Sequence, residues 1–360
     1  MNLKILDDYV ERGLLRKAED DDLVQYNYSE EVNTSPMGEL WDDITMFNRG
    51  NIYEKRTGEL IARAMPKFMN FEQYSTDKQK QILSNNNINV TEKMDGCLGI
   101  LYMYKGKIRC NSRGSFDNYV TDKMKELLPK YVMLRHILKF NTLNVEVISP
   151  KTKIICDYGD KEELYLITAY SKNPEIGEFN YKTLNLMSKI IRMPIVKEYN
   201  MSWEELLNWK NTSDYSQEGF VVRINNDRIK VKSNDYLRIA KLKCGLTKHR
   251  IWRLYKNDLE QGTNSLTPYM ENVPDELSNT AKNWYDEITC ALNKLKEQAR
   301  IEYNKVKGLD KKTIGITLKD NKYIHAIFAI INGKEEILNK LFIKWVEPED
   351  DLEELKLVEE

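Results

Sequence analysis

Histidine is nearly absent. His136, His249 and His325 are the three in 360 residues, and none has a partner spaced as a second metal ligand or as a nucleophile–base pair. Chemistry built on imidazole is therefore disfavoured. Cysteine is scarce as well: Cys97, Cys110, Cys156, Cys244 and Cys290 are odd in number, scattered and never arranged as C-x-x-C. That pattern argues against a disulfide framework and against a structural zinc. No run approaches the roughly 20 apolar residues that cross a bilayer, and the opening MNLKILDDYVERG has no apolar signal core. A soluble, cytoplasmic protein without membrane contact is expected.

Net charge of one sign is lacking too, at −1, so a surface coated in basic groups is excluded. The charges that are present are segregated. Residues 223–256 carry eleven Lys or Arg against two Asp, and residues 347–360 carry eight acids and one Lys. A local polyanion site remains compatible with this distribution.

At 360 residues and 41% hydrophobic content the chain can bury one large core and a smaller one. Up to about residue 240, NINVTEKM, GILYMY, KIRCNS, TLNVEVI, ELYLITAY, EGFVVRI and RIKVKS read as strands separated by short helical patterns. This is α+β material. Gly106 in YKGK suits a hairpin turn, and DNYVTDKMKELLPKYVMLRHILKF reads as helix interrupted near Pro129. Beyond Gly245 helical periodicity takes over: Leu277, Ala281, Trp284, Ile288, Leu292, Leu295, Ala299 and Tyr303 place one apolar stripe on a long helix that Pro274 and Asp275 start and Gly308 ends. The expected division is 1–245 for the first domain and 246–360 for a smaller all-helical one, with an exposed acidic tail from Pro348.

Chemistry enters with Lys93-Met94-Asp95-Gly96, a K-x-D-G in which a lysine at a strand end can attack phosphorus while glycine lets backbone approach a nucleotide. Alone, a surface turn accounts for it better. Four further elements follow in order. Asn111-Ser112-Arg113-Gly114-Ser115 offers a cation and hydroxyls; Glu146 in LNVEVISP points opposite to Leu143, Val145 and Val147. Glu218 heads the run EGFVV, a position suited to holding Mg2+ through oxygen. Lys230 and Lys232 share one strand face. Each taken singly is also what a polar turn, a solvent-facing glutamate or a solvated strand edge would show.

Together KMDG, SRGS, VEVISP, ELYLITAY, EGFVV and KVKS resemble the covalent nucleotidyltransferase superfamily of polynucleotide ligases and capping enzymes. The upstream Asn48-Arg49-Gly50 and IARAMPKFMN, residues 61–70, resemble the bacteriophage-type RNA ligase 1 family of ATP-dependent tRNA-repair ligases. Cys97 stands where that family usually has serine, Met69 where it has a second aromatic, and Arg113 where lysine is common. The resemblance implies an adenylation domain of antiparallel sheets flanked by helices, followed by a helical domain for the RNA.

It also implies a reaction. Lys93 attacks the α-phosphorus of ATP and expels pyrophosphate; AMP passes to a 5′-phosphate RNA end, and a 3′-hydroxyl then displaces AMP to seal the strand. Arg49, Lys67, Glu92, Gly96 and Arg113 would bind nucleotide, Glu146 the ribose or metal, Glu218 the Mg2+ (or Mn2+), and Asp95 would order the pocket as part of the catalytic set with Lys230 and Lys232. A free lysine near pKa ~10.4 is neutral in roughly one molecule per thousand or fewer at pH 7, and Lys230, Lys232 and the metal would favour the amine. The implied partners are nicked tRNA and an end-healing kinase/phosphatase, with the ligase itself a monomer. The basic run Arg238, Lys241, Lys243, Lys248, Arg250 and Arg253 with Trp252 and Tyr255 suits either an RNA track with stacked bases or the solvated face of a helix. A DNA ligase or capping-type enzyme on the same core, and a catalytically silent RNA-binding module, are the competing readings.

Overall fold

The computed structural model describes residues 2–348 apart from 34, 36, 37, 226, 244, 264, 267, 268, 270–272 and 274, with backbone alone at 242, 243 and 275–279. Cys244, Pro274, the Leu277 and Lys243 side chains and the acidic tail from 349 lie outside the described residues. The chain divides into two compact units, Met1–Ala240 and Lys241–Glu360.

The first unit holds three sheets. β1 (Leu15–Asp20), β2 (Leu23–Tyr28), β3 (Arg49–Glu54) and β4 (Leu60–Ala62) form the first in chain order. β5 (Met69–Asn70) and β6 (Asn89–Lys93) belong to the third, and β7 (Cys97–Tyr104), β8 (Lys107–Ser112), β9 (Asn141–Ile148) and β10 (Glu163–Ser171) make the second, ordered β10-β9-β7-β8. The third is completed by β11 (Glu198–Tyr199), β12 (Gly219–Ile224) and β13 (Asp227–Lys232), in the order β11-β6-β12-β13-β5. The pairings between these strands are antiparallel except that of β13 with β5, which is parallel.

Alternation decides what each sheet buries. In β9, Leu143, Val145 and Val147 are fully buried and pack with Leu101, Leu164 and Leu166 under helices Tyr119–Leu127, Leu134–Phe140 and Tyr181–Ile191. Asn144 and Glu146 therefore fall on the other face. In the third sheet Val90, Phe220, Val222, Ile229 and Val231 line one face against helices Thr76–Leu83 and Trp203–Thr212. Thr91, Lys93, Val221, Lys230 and Lys232 occupy the opposite one. The YKGK turn joins β7 to β8 with Lys105 and Gly106 both at positive φ, 44° and 73°, which matches the twist of the hairpin. Pro129 falls in the 3-10 turn Leu128–Lys130, where the helix from Tyr119 ends.

The second unit is helical throughout its described residues. Asp275–Val306 runs 32 residues, about 48 Å at the helical rise. Ala281, Ile288, Leu292 and Ala299 are buried along it, with Trp284, Leu295 and Tyr303 packed beside them, and Gly308 follows at φ 97°. Trp252 and Tyr255 join this core. Trp252 is 3% exposed and donates its indole N–H to the Ile343 carbonyl at 2.9 Å, and Tyr255 packs its ring 4.7 Å from Tyr285. Of the two readings left open for this run, stacking of these two rings on RNA bases does not fit their burial: they are the apolar face of helix Lys248–Gln261, while Arg250 and Arg253 on its other side are exposed.

Candidate active site

Three adjacent strands assemble the centre. Lys93 ends β6 directly opposite Gly219 of β12, and Gly219 lies opposite Lys232 of β13. A Cβ on Gly219 would sit 2.2 Å from the Val231 carbonyl oxygen, so only glycine fits between the two lysines. Glu218, the residue before, turns its carboxylate into the gap: Oε1 accepts from Lys93 Nζ at 2.8 Å and from Lys232 Nζ at 2.7 Å. The Glu218 side chain is 3% exposed, and its other oxygen, Oε2, is buried without a hydrogen-bond partner. The sequence placed cations around Lys93; the structure puts a carboxylate against it first. Lys230, one step along the same face of β13, is buried with its ammonium 5.3 Å from the Phe68 ring.

Asp95 organises the turn after Lys93. Its Oδ2 accepts from the backbone N–H groups of Ile155 and Cys156, both at 2.7 Å, and Oδ1 from the Tyr236 hydroxyl at 2.8 Å. The Asp95 N–H in turn donates to the Tyr158 oxygen at 2.9 Å. With every strong bond directed into protein, Asp95 is a positioning residue rather than a group aimed at substrate. Gly96 lets this turn press on β9, since a Cβ there would meet the Val147 carbonyl oxygen at 2.6 Å.

Glu146 stands opposite Leu98 on β9 and is half-buried. Burial pushes its carboxyl up to about 7, Glu218 adds to the rise, and the charges of Lys93 and Arg49 oppose it. Those four groups therefore share one field. Arg49 brings a guanidinium whose Nε and Nη1 are buried without hydrogen-bond partners. Next to it, Gly50 at φ 105° brings β3 against the chain at Arg113, where a Cβ would sit 2.8 Å from the Arg113 carbonyl oxygen. Arg113 donates to the Tyr28 hydroxyl at 2.9 Å, and buried Lys67 lies 4.9 Å from the Tyr28 ring and 5.2 Å from that of Trp41, with Asn33 Oδ1 at 3.0 Å. Tyr28 thus gathers Lys67 and Arg113, a role that nothing in its sequence context signalled. Tyr158 and Tyr236 were missed for the same reason.

Glu92 is not brought to the Lys93 side. It lies opposite Phe220 on the other face of β6; burial raises its carboxyl, and Lys197 and Lys161 oppose the rise. Cys97, in the place of the usual serine, is a thiol pushed up to about 11 by burial and so stays neutral.

Among the described residues no three His, Cys, Asp or Glu side chains are grouped to enclose a metal. What fits a cation here is a pair of carboxylates, Glu218 with its unpartnered oxygen and Glu146 with its suppressed ionisation. Magnesium characteristically takes one or two carboxylates and completes its shell with water and substrate phosphate, so the donor set suits it.

A protein described as a bifunctional polynucleotide kinase/RNA ligase of Autographa californica nuclear polyhedrosis virus is 26% identical over 217 residues, covering 54% of this chain and 30% of that protein's own length. Among solved structures, an ATP-dependent DNA ligase from Aquifex aeolicus aligns at 18% identity and TM-score 0.46 over 84% of this chain and 81% of that one. An archaeal ATP-dependent RNA ligase aligns at 13% identity and TM-score 0.47 over 80% and 76%. The model of the T4-type RNA ligase 1 family, described as RNA ligase, matches residues 48–244, a span from just before Arg49 to beyond Lys232, and the chain belongs to that family.

Proposed function

We propose that the protein joins RNA strands with ATP, through a lysyl-AMP on Lys93 and then an AMP-capped 5′-phosphate. The observation that carries this is the Glu218 carboxylate bridging Lys93 and Lys232 with one oxygen left over, in a chain of the RNA ligase family. In this arrangement the Lys93 Nζ is tied to Glu218 and must leave that contact before it can attack. Glu218, through its unpartnered Oε2, and Glu146 would hold a divalent cation beside Lys93. Bound there, Mg2+ would supply charge neutralisation at the phosphate oxygens.

The chain's own residues do the rest. The Lys93 nitrogen forms a bond to the α-phosphorus of ATP as the bond to pyrophosphate breaks, and Lys230 and Lys232 offset the charge growing on the phosphate oxygens. Arg49, Lys67 and Arg113 hold the leaving phosphates, and Asp95 with Gly96 keeps Lys93 in register. An oxygen of the RNA 5′-phosphate next takes AMP from Lys93, and a 3′-hydroxyl displaces AMP to close the phosphodiester. Residues 246–360 serve the RNA substrate, which we assign to nicked tRNA; the kinase half of the viral relative's description supports a separate healing step for the ends.

Incubation with ATP and Mg2+ should add the mass of one AMP to the intact chain, and Lys93→Ala should abolish the gain. Label acquired from GTP instead would turn the reading to a capping-type enzyme, and sealing of nicked DNA in preference to RNA would turn it to a DNA ligase.

A further inference from the structure

Away from Lys93, three more cations gather at the other end of the same strands. Arg223 on β12 and Arg228 on β13 lie directly opposite each other. Like charges so placed repel, and both turn to one carboxylate: Glu178 accepts from Arg223 at 3.3 Å and from Arg228 at 3.0 Å with a second, shorter bond. Glu178 also accepts from Thr168 at 2.6 Å. Arg63 is the third. Its guanidinium is clamped between two rings, 4.4 Å from Tyr170 and 5.2 Å from Phe47. It has no carboxylate or hydrogen-bond acceptor among the described residues, and its Nε is buried. Burial and the nearby charge of Arg63 both act to lower the pKa of Arg228. Two guanidiniums thus share one carboxylate, and the third, stacked on two rings, has no anion among the described residues.

Two strand rulers give the distance from the reacting centre. The Arg63 N–H donates to Thr142 Oγ1 at 3.3 Å and the Met65 N–H to Asn144 Oδ1 at 2.8 Å, so Arg63 stands level with residue 142, four residues along β9 from Glu146. Arg223 likewise lies four residues along β12 from Gly219. Each offset is about 13 Å. That offset sets Arg63 apart along the sheet from Gly219 and Lys93, and Arg49, Lys67 and Arg113 already serve the triphosphate tail in the reading above. It suits a polymer.

We infer that Arg63, fixed between Phe47 and Tyr170 and backed by Arg223 and Arg228, binds a backbone phosphate of the RNA strand a few nucleotides from the end being joined. This rests on the RNA-joining reading above and adds to it where the strand runs. A planar fork stacked on aromatics loses little side-chain freedom when it grips a phosphate, which suits Arg better than Lys.

The test uses full-length protein, a 5′-phosphorylated single-stranded RNA and ATP. Arg63→Gln should leave the rate and ATP dependence of self-adenylylation unchanged, raise the KM for RNA about tenfold, and reduce the slope of log affinity against log salt by about 0.7, the value for one phosphate contact on a single strand. Arg63→Lys, which keeps the charge, should recover the slope and only part of the KM. An unchanged salt slope in Arg63→Gln overturns the proposal, and so does a raised KM for ATP, which would give Arg63 to the nucleotide tail. Should wild-type protein self-adenylylate yet bind no RNA, the joining reading falls and takes this one with it. Normal RNA binding by wild type with an unaltered variant sinks this one alone.

Discussion

Substituting Glu218 by Gln removes the charge that two ammonium groups, one buried and one half-buried, share while keeping the shape. The Lys93 side chain is 21% exposed and that of Lys232 is 8% exposed, so water can relieve the first in part and the second hardly at all. Breaking one partner of a buried ion pair costs about 3–5 kcal/mol; the partial access of Lys93 places this case near the lower end, about 3. For a unit of this size 1 kcal/mol moves the melting midpoint by about 2–4 °C, so Glu218→Gln should melt about 6–12 °C lower in the first unit's transition, read by calorimetry without nucleotide. The cause is checked by a second substitution. Adding Lys93→Met removes one of the stranded charges, so the double variant should recover at least about 1 kcal/mol of the loss, a non-additivity expected of groups in contact. A single variant that melts with wild type, or two substitutions whose effects simply add, would refute the argument that this carboxylate is the counter-ion of both lysines.

Glu146, lifted to about 7 from an ordinary carboxyl near 4.5, binds its proton more tightly folded than unfolded. Stability without metal should therefore be full below about pH 4.5 and decline as pH rises to 7, and Glu146→Gln should flatten that decline in melts taken across the range. Self-adenylylation should climb through the same interval as Glu146 becomes a carboxylate able to hold a cation. Asp95→Asn forces an N–H2 against either the two N–H donors or the hydroxyl that now bond the carboxylate; a loss of about 2–3 kcal/mol in the first unit's transition is expected, with lysyl-AMP formation falling in step. Trp252→Ala should destabilise the helical unit by about 3–5 kcal/mol and leave self-adenylylation intact, because the indole is core. Weakened RNA binding without any loss of stability would restore its surface role.

The strands of the first unit were legible because alternation and turn chemistry agree along them, as in Leu143, Val145 and Val147 set against Glu146, or Lys105-Gly106 between β7 and β8. The long helix was legible from its stripe. Less so was anything depending on which side of an amphipathic helix turns inward: Trp252 and Tyr255 lie at helical spacing among arginines and lysines, and only packing against Ile343 and Tyr285 shows that the rings are inside. The parallel pairing of β5 with β13 joins two residues to a strand some 160 positions away, a long-range contact that local pattern cannot specify. At the site, motif order identified the charged groups, but not how they pair: the bridge of Glu218 to Lys93 and Lys232 carries no signal in the sequence. Tyr28, Tyr158 and Tyr236 carry no motif, since a hydroxyl that positions a charge looks in sequence like any other tyrosine.

Tyr236 also sets where the molecule can be cut. It sits on helix Asn234–Lys243, past the last strand, and its hydroxyl reaches back 141 positions to the Asp95 carboxylate. A fragment stopped after Ser233 would retain every ionic group of the centre yet lose that tether and the ring that lies 5.3 Å from the Lys232 ammonium. The smallest piece able to load itself with AMP must therefore extend through this helix, and trimming back to the final motif should yield a protein that keeps its charges and has lost its aim.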